Sequence, residues 1–176
     1  MAVWGSLLTL VGFGLFGWLA AVMQPPYRLP MPVRPGDLLP ALLLLCALML
    51  GSLLLSGIVL VAHEACHGLA IRFTGARPQY GAKILHRILP VLYATAPRHW
   101  MTKAQYVLVI LAPTLLVNLA GIALMTPPSM LRYMMVFPLA VHFGGCLGDW
   151  WILTIVLRLP AAVRIQDTGE GFRYRV

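Results

Sequence analysis

The chain has 176 residues, of which 60% are hydrophobic and only 10% charged, with a formal net charge of +8 and a mean hydropathy of +0.85. A soluble domain of this length carries about 25% charge, so the composition excludes an ordinary water-soluble domain and points to a chain with several membrane spans. The basic excess falls in loops, where it reads as membrane topology and not as a nucleic-acid surface.

In chain order, the first apolar run covers residues 3–23. No Lys or Arg precedes it and no A-x-A-like site closes it, so it is predicted to be a retained helix and not a cleaved signal peptide. The segment "QPPYRLPMPVRPGD", residues 24–37, is too rich in proline for regular structure, and Asp37 is placed to cap the next helix. That second span, residues 38–72, would be about 50 Å long against a hydrocarbon core of about 30 Å, so it must tilt, kink or project. Ser52 and Ser56 form a small-xxx-small pair suited to close helix packing. Between the second and third spans, "GAKILH" and "VLYATA" suggest two short strands about a turn near Arg87 to Pro90. The third span, residues 102–125, holds Pro113, which predicts a kink. The fourth, residues 130–158, contains "GGCLG" at 144–148, which permits close backbone approach. The tail is polar enough to leave the membrane. The expected fold is therefore an all-α membrane protein of about four transmembrane helices, with a short cytoplasmic loop or β-hairpin between helices 2 and 3, in a single domain over residues 1–176.

With four spans, ten of the thirteen Lys and Arg residues lie on the side of the two termini and the 73–100 loop, and Arg28, Arg34 and Arg132 lie on the other. The positive-inside rule then places both termini in the cytoplasm, in the plasma (inner) membrane. Cys46, Cys66 and Cys146 all fall in apolar runs, so no disulfide framework is expected; Cys66 and Cys146 read as small packing residues.

The chemistry concentrates in "HEACH", His63 to His67, inside the second span. On a helix, positions i and i+4 share a face, so two imidazoles can reach one Zn²⁺, with Glu64 beside them as general base. Five His and two Glu in 176 positions make a chance match a roughly one-in-600 event. The bland alternative, hydrogen bonding between helices, asks three ionisable groups to share a role that costs about 2.5–3.5 kcal/mol per central acidic group. A catalytic zinc takes a third protein ligand and keeps an open position. The ionisable candidates in the other spans are His142 and Asp149. His63 lies nine residues before Arg72 and Asp149 nine before Arg158, so both stand about 13 Å from their helix ends, whereas His142 would stand about 10 Å deeper. Depth selects Asp149 as the third ligand, the alternative being an acceptor that orients a ligand imidazole. His142 is left as a polar packing or substrate-pocket contact. Asn118 is a candidate to hold substrate backbone or an oxyanion, or else an interhelical hydrogen bond. His86 and His99 read as ordinary loop histidines.

The stretches "HEACHGLAIRFTGARPQYGA", "VLYATAP", "LAPTLLVN" and "HFGGCLGDWW", with the tail, resemble the putative zincin-peptidase family of small prokaryotic membrane proteins over roughly residues 50–176. That family is similar to the site-2 intramembrane metalloproteases. The resemblance implies zinc on His63, His67 and Asp149 and Glu64 as base. Site-2 proteases carry their aspartate in an L-D-G-type context, whereas this chain has "GDWW". The expected function is a membrane-embedded zinc metallopeptidase acting on membrane or membrane-proximal peptides, with the lipid bilayer and a membrane protein or peptide substrate as partners. The alternative is a non-catalytic zinc-binding integral membrane subunit bracing a larger complex, its partners being the other subunits. Glu64 separates these readings, because a structural zinc has no use for a base.

Overall fold

A computed structural model describes residues 2–23, 38–85, 89–168 and 171–176. The loop with Arg28, Arg34 and the expected cap Asp37, and the hairpin turn with His86, lie outside the described residues. The elements in chain order are α1 (Ala2–Val22), α2 (Leu38–Phe73), β1 (Gln79–Leu85), β2 (Leu89–Thr95), β3 (Met101–Thr102), α3 (Lys103–Met125), α4 (Met130–Met134), α5 (Val136–Gly145), α6 (Leu147–Arg158), β4 (Arg164–Asp167) and β5 (Phe172–Arg175). Among the described residues, four helical stretches are long and apolar enough to cross a membrane: Val3–Val22, Leu38–Phe73, Lys103–Met125 and Met130–Arg158.

The chain folds as two compact units, Met1–Val59 with Asn118–Gly145, and Leu60–Val117 with Cys146–Val176. In the first, α1 and α5 approach closely. A Cβ on Gly12 would stand 2.9 Å from the Ala140 Cα, and one on Gly144 would stand 2.7 Å from the Gly5 carbonyl, so only glycine fits at these crossings. Phe13 against Phe137 (5.8 Å between ring centroids) and Phe16 against Phe143 (6.3 Å) fill the flanks. Arg132 is fully buried. Its guanidinium donates to the carbonyls of Met125 (2.8 Å), Thr126 (2.7 Å) and Met23 (3.0 Å), satisfying orphan acceptors at the C-terminal ends of α3 and α1.

In the second unit, α2 ends where Gly75 takes φ +88, with Thr74 and Gly75 N–H groups returning to the Ile71 and Arg72 carbonyls at 3.0 Å. α3 begins in a capping box. The Thr102 N–H donates to Gln105 Oε1 (2.8 Å) and the Gln105 N–H to Thr102 Oγ1 (3.2 Å). The Lys103 ammonium donates to the Leu157 and Leu159 carbonyls, 2.8 and 2.6 Å away, and so closes the end of α6. Ile71, Met101, Val156, Val163 and Ile165 form the core of this unit.

One expectation is corrected. The tail does more than leave the apolar region: β3, β4 and β5 form a three-stranded antiparallel sheet beside the β1–β2 hairpin, so the fold is helical with two small sheets and not all-α. Gln166 Nε2 donates to the Pro97 carbonyl (2.6 Å) and Arg175 lies over the Trp100 ring (4.3 Å), contacts that draw the tail back on the chain. The fourth span stands at Met130–Arg158 as expected; within it three helical segments meet at Met135 and Cys146, whose backbones stay near the right-handed helical region.

Two prolines inside helices share one device. Proline lacks an N–H, so the carbonyl four residues earlier loses its helical donor. Pro138 thus frees the Met134 carbonyl, which accepts Ser52 Oγ at 3.2 Å. Pro113 frees the Val109 carbonyl, and its new donor belongs to the candidate site. Side chains from neighbouring helices re-satisfy such carbonyls in a water-poor interior.

Candidate metal centre

The centre is built within the second unit from α2, α3 and α6. The four-residue spacing on α2 sets the His63 and His67 rings edge to face, 4.9 Å between centroids and 80° between planes. Asp149, in the first turn of α6, brings Oδ2 to 3.3 Å from His63 Nε2 and 3.6 Å from His67 Nε2. Trp150 next to it donates from Nε1 to Thr114 Oγ1 of α3 (3.0 Å), which ties the start of α6 to α3.

These atoms fit a zinc ion on the chemistry and spacing of the donors. One ligand atom each from His63, His67 and Asp149 lies within 4.8 Å of the other two. Ligands about 2.0–2.1 Å from a tetrahedral zinc stand about 3.3 Å apart, close to the observed 3.3 and 3.6 Å. Asp149 Oδ2 is buried and makes no hydrogen bond, a costly arrangement for a carboxylate oxygen unless a cation or a protonated imidazole faces it. The His67 tautomer is set from behind: Nδ1 lies 2.8 Å from the Val109 carbonyl, which can only accept, so the proton sits on Nδ1 and Nε2 presents its lone pair to the donor cluster. That carbonyl is the one Pro113 leaves without a helical partner.

Glu64 stands apart from the donor set. Its Oε1 is 4.0 Å from His63 Nε2, and its carboxylate faces the backbone of Ala94 on β2. The four side chains border a cavity of about 360 Å³ that β2 closes with Val91, Tyr93 and Ala94. Lys83 from β1, Tyr106 from α3 and Asp167 from the tail also reach this cavity. No sequence pattern marked these three. Lys83 read only as a loop charge, and Asp167 arrives through strand pairing that begins more than 60 residues away.

His142 is buried on α5 and Asn118 is half-buried on α3, both in the first unit. Among the described residues, Cys46, Cys66 and Cys146 form no disulfide. His99 takes part in the turn after β2, its N–H bonded to the Ala96 carbonyl.

Searches of curated proteins and of solved structures find no match. A family model does match, over residues 56–164, a stretch that holds His63, Glu64, His67 and Asp149 and more than half of the chain. The chain belongs to the family described as putative zincin peptidase.

Proposed function

We propose that this protein is a membrane-embedded zinc metallopeptidase of site-2-protease-like type, hydrolysing peptide bonds of membrane or membrane-proximal substrates. The observation that carries the reading is the convergence of His63 Nε2, His67 Nε2 and Asp149 Oδ2 beside a glutamate that is not part of their cluster. His63, His67 and Asp149 would hold the metal, a two-histidine-plus-carboxylate set of the kind found in catalytic zinc sites. Zinc in such a site supplies Lewis-acid activation of water and of the peptide carbonyl.

Glu64 then does the proton work. Its carboxylate takes a proton from the attacking water as the oxygen bonds to the carbonyl carbon. It delivers that proton to the amine nitrogen as the C–N bond breaks. His67 keeps its orientation throughout, because the Val109 carbonyl holds Nδ1–H.

A helical substrate must unwind first, since its carbonyls are already bonded. The β1–β2 sheet has two strands, so each strand keeps an outer edge with no partner in that sheet. An extended peptide pairs along β2, whose Val91, Tyr93 and Ala94 border the cavity, by strand addition. The four apolar stretches lie in the plasma (inner) membrane, and the ten-to-three bias of Lys and Arg puts both termini and the hairpin on the cytoplasmic side.

Elemental analysis of protein purified without chelators tests the reading. About one zinc per chain is expected from a single three-ligand site, and protein without metal sinks the proposal.

A further inference from the structure

We propose that the apolar groove between α2 and the β1–β2 hairpin is a side-chain pocket that selects an aliphatic substrate residue next to the scissile bond. The inference rests on the peptidase reading above and names the substrate class for that site.

The groove has a volume of about 260 Å³, with Val61 and Ala65 of α2 on one wall and Gly81 and Leu92 of the hairpin on the other. Glu64 and Tyr93 border both this groove and the metal cavity. The helical period explains why. Val61, Glu64, Ala65 and Gly68 follow i, i+3, i+4, i+7 spacing and form one stripe of α2, while His63 and His67 form a second stripe about 130° around the helix, with Glu64 on the edge towards it. Glu64 is thus the residue of the hairpin-facing stripe nearest the metal ligands.

Two glycines hold the hairpin close enough to make a groove and not a gap. A Cβ on Gly68 would collide with the Tyr80 hydroxyl, so a larger residue there would push the Tyr80 side chain aside. A Cβ on Gly81 would collide with the ring of Tyr93, its cross-strand partner, so the Tyr93 ring crosses the sheet at that point. Val61 and Tyr80 are 58% and 59% exposed, so the groove also opens on the outer face of α2.

A peptide whose carbonyl stands beside Glu64 has its next side chain about 3.5 Å further along the chain. That is one step from the metal cavity into a groove whose other lining groups are mostly aliphatic or aromatic. A charged or amide side chain would lose its water there with few partners in return. An aliphatic one gains contact and reaches the groove along the apolar face of α2.

The test uses zinc-loaded full-length protein in detergent and two water-soluble succinyl hydroxamates, one unsubstituted and one with an isobutyl group at C2, with affinity measured by calorimetry. The hydroxamate requires the metal and the isobutyl group requires the groove. In the wild type, the isobutyl compound is expected to bind about tenfold to a hundredfold more tightly. Ala65→Phe, which fills the α2 wall, should bring the ratio of the two affinities close to one. Leu92→Ala, which removes the opposite wall, should lower the ratio from the other side, and size-exclusion profiles show that each variant is folded. If neither hydroxamate binds the wild type, the metal reading fails and the pocket with it. If both bind but with equal affinity, or if the ratio is unchanged in both variants, the pocket is refuted while the metal centre stands.

Discussion

Replacing Pro113 with alanine should weaken zinc binding without weakening the fold. Pro113 has no N–H, and this leaves the Val109 carbonyl free to accept His67 Nδ1–H at 2.8 Å. In Pro113→Ala, a backbone N–H returns at position 113 and competes for that carbonyl. The imidazole then loses part of the bond that sets its tautomer and ring orientation. Loss of such an outer partner costs 10–100-fold in metal affinity, or about 1.4–2.8 kcal/mol. A neutral hydrogen bond is worth about 0.5–1.5 kcal/mol net, which places the expected loss near tenfold. Helix α3 meanwhile gains a backbone bond and loses a residue unfavourable in a helix interior by about 3 kcal/mol. Apo-protein melting should therefore hold steady or rise while zinc affinity falls, a split that general destabilisation does not produce. Competition with a chelator of known affinity, on purified protein in detergent, reads the zinc constant directly. Pro138→Ala is the control, because its freed carbonyl serves Ser52 and not a metal ligand. Zinc affinity in Pro113→Ala within about twofold of wild type would show that the proline does not govern His67.

Glu64→Gln should retain zinc and lose peptide cleavage, since Glu64 lies outside the donor cluster; surviving cleavage of a sensitive substrate rules out this base. Asp149→Ala removes one of three donors and should lower zinc affinity by more than the roughly 100-fold typical of outer partners, as read by the same chelator titration. Arg132→Met leaves three carbonyls without their donor and should cost about 3 kcal/mol, seen as a lower melting temperature; an unchanged melt would show that these carbonyls find other donors. Cysteines introduced at Gln79 and Gln166 should react with thiol reagents only from the cytoplasmic side, and labelling of either from outside overturns the orientation.

Local rules carried much of the architecture. The four apolar stretches are legible because span length and composition depend on neighbouring residues alone. The i, i+4 spacing of His63 and His67 reads directly as a shared helical face, and "TKAQ" at 102–105 is a capping box in the letters as well as in the bonds. Depth along two helices set Asp149 level with His63, because helical rise is constant, and Asp149 Oδ2 stands 3.3 Å from His63 Nε2. Tertiary structure alone decided the rest. The β3–β4–β5 sheet pairs Met101 with Ile165, and no periodicity in a four-residue strand announces a partner so far away. Asp167 reaches the cavity through that distant pairing, Tyr106 through the packing of α3, and Lys83 through the β1–β2 hairpin. Pro113 reads in sequence as a kink. That its freed carbonyl is the one His67 takes depends on α2 and α3 lying side by side at one register, which side-chain packing sets and residue spacing does not encode.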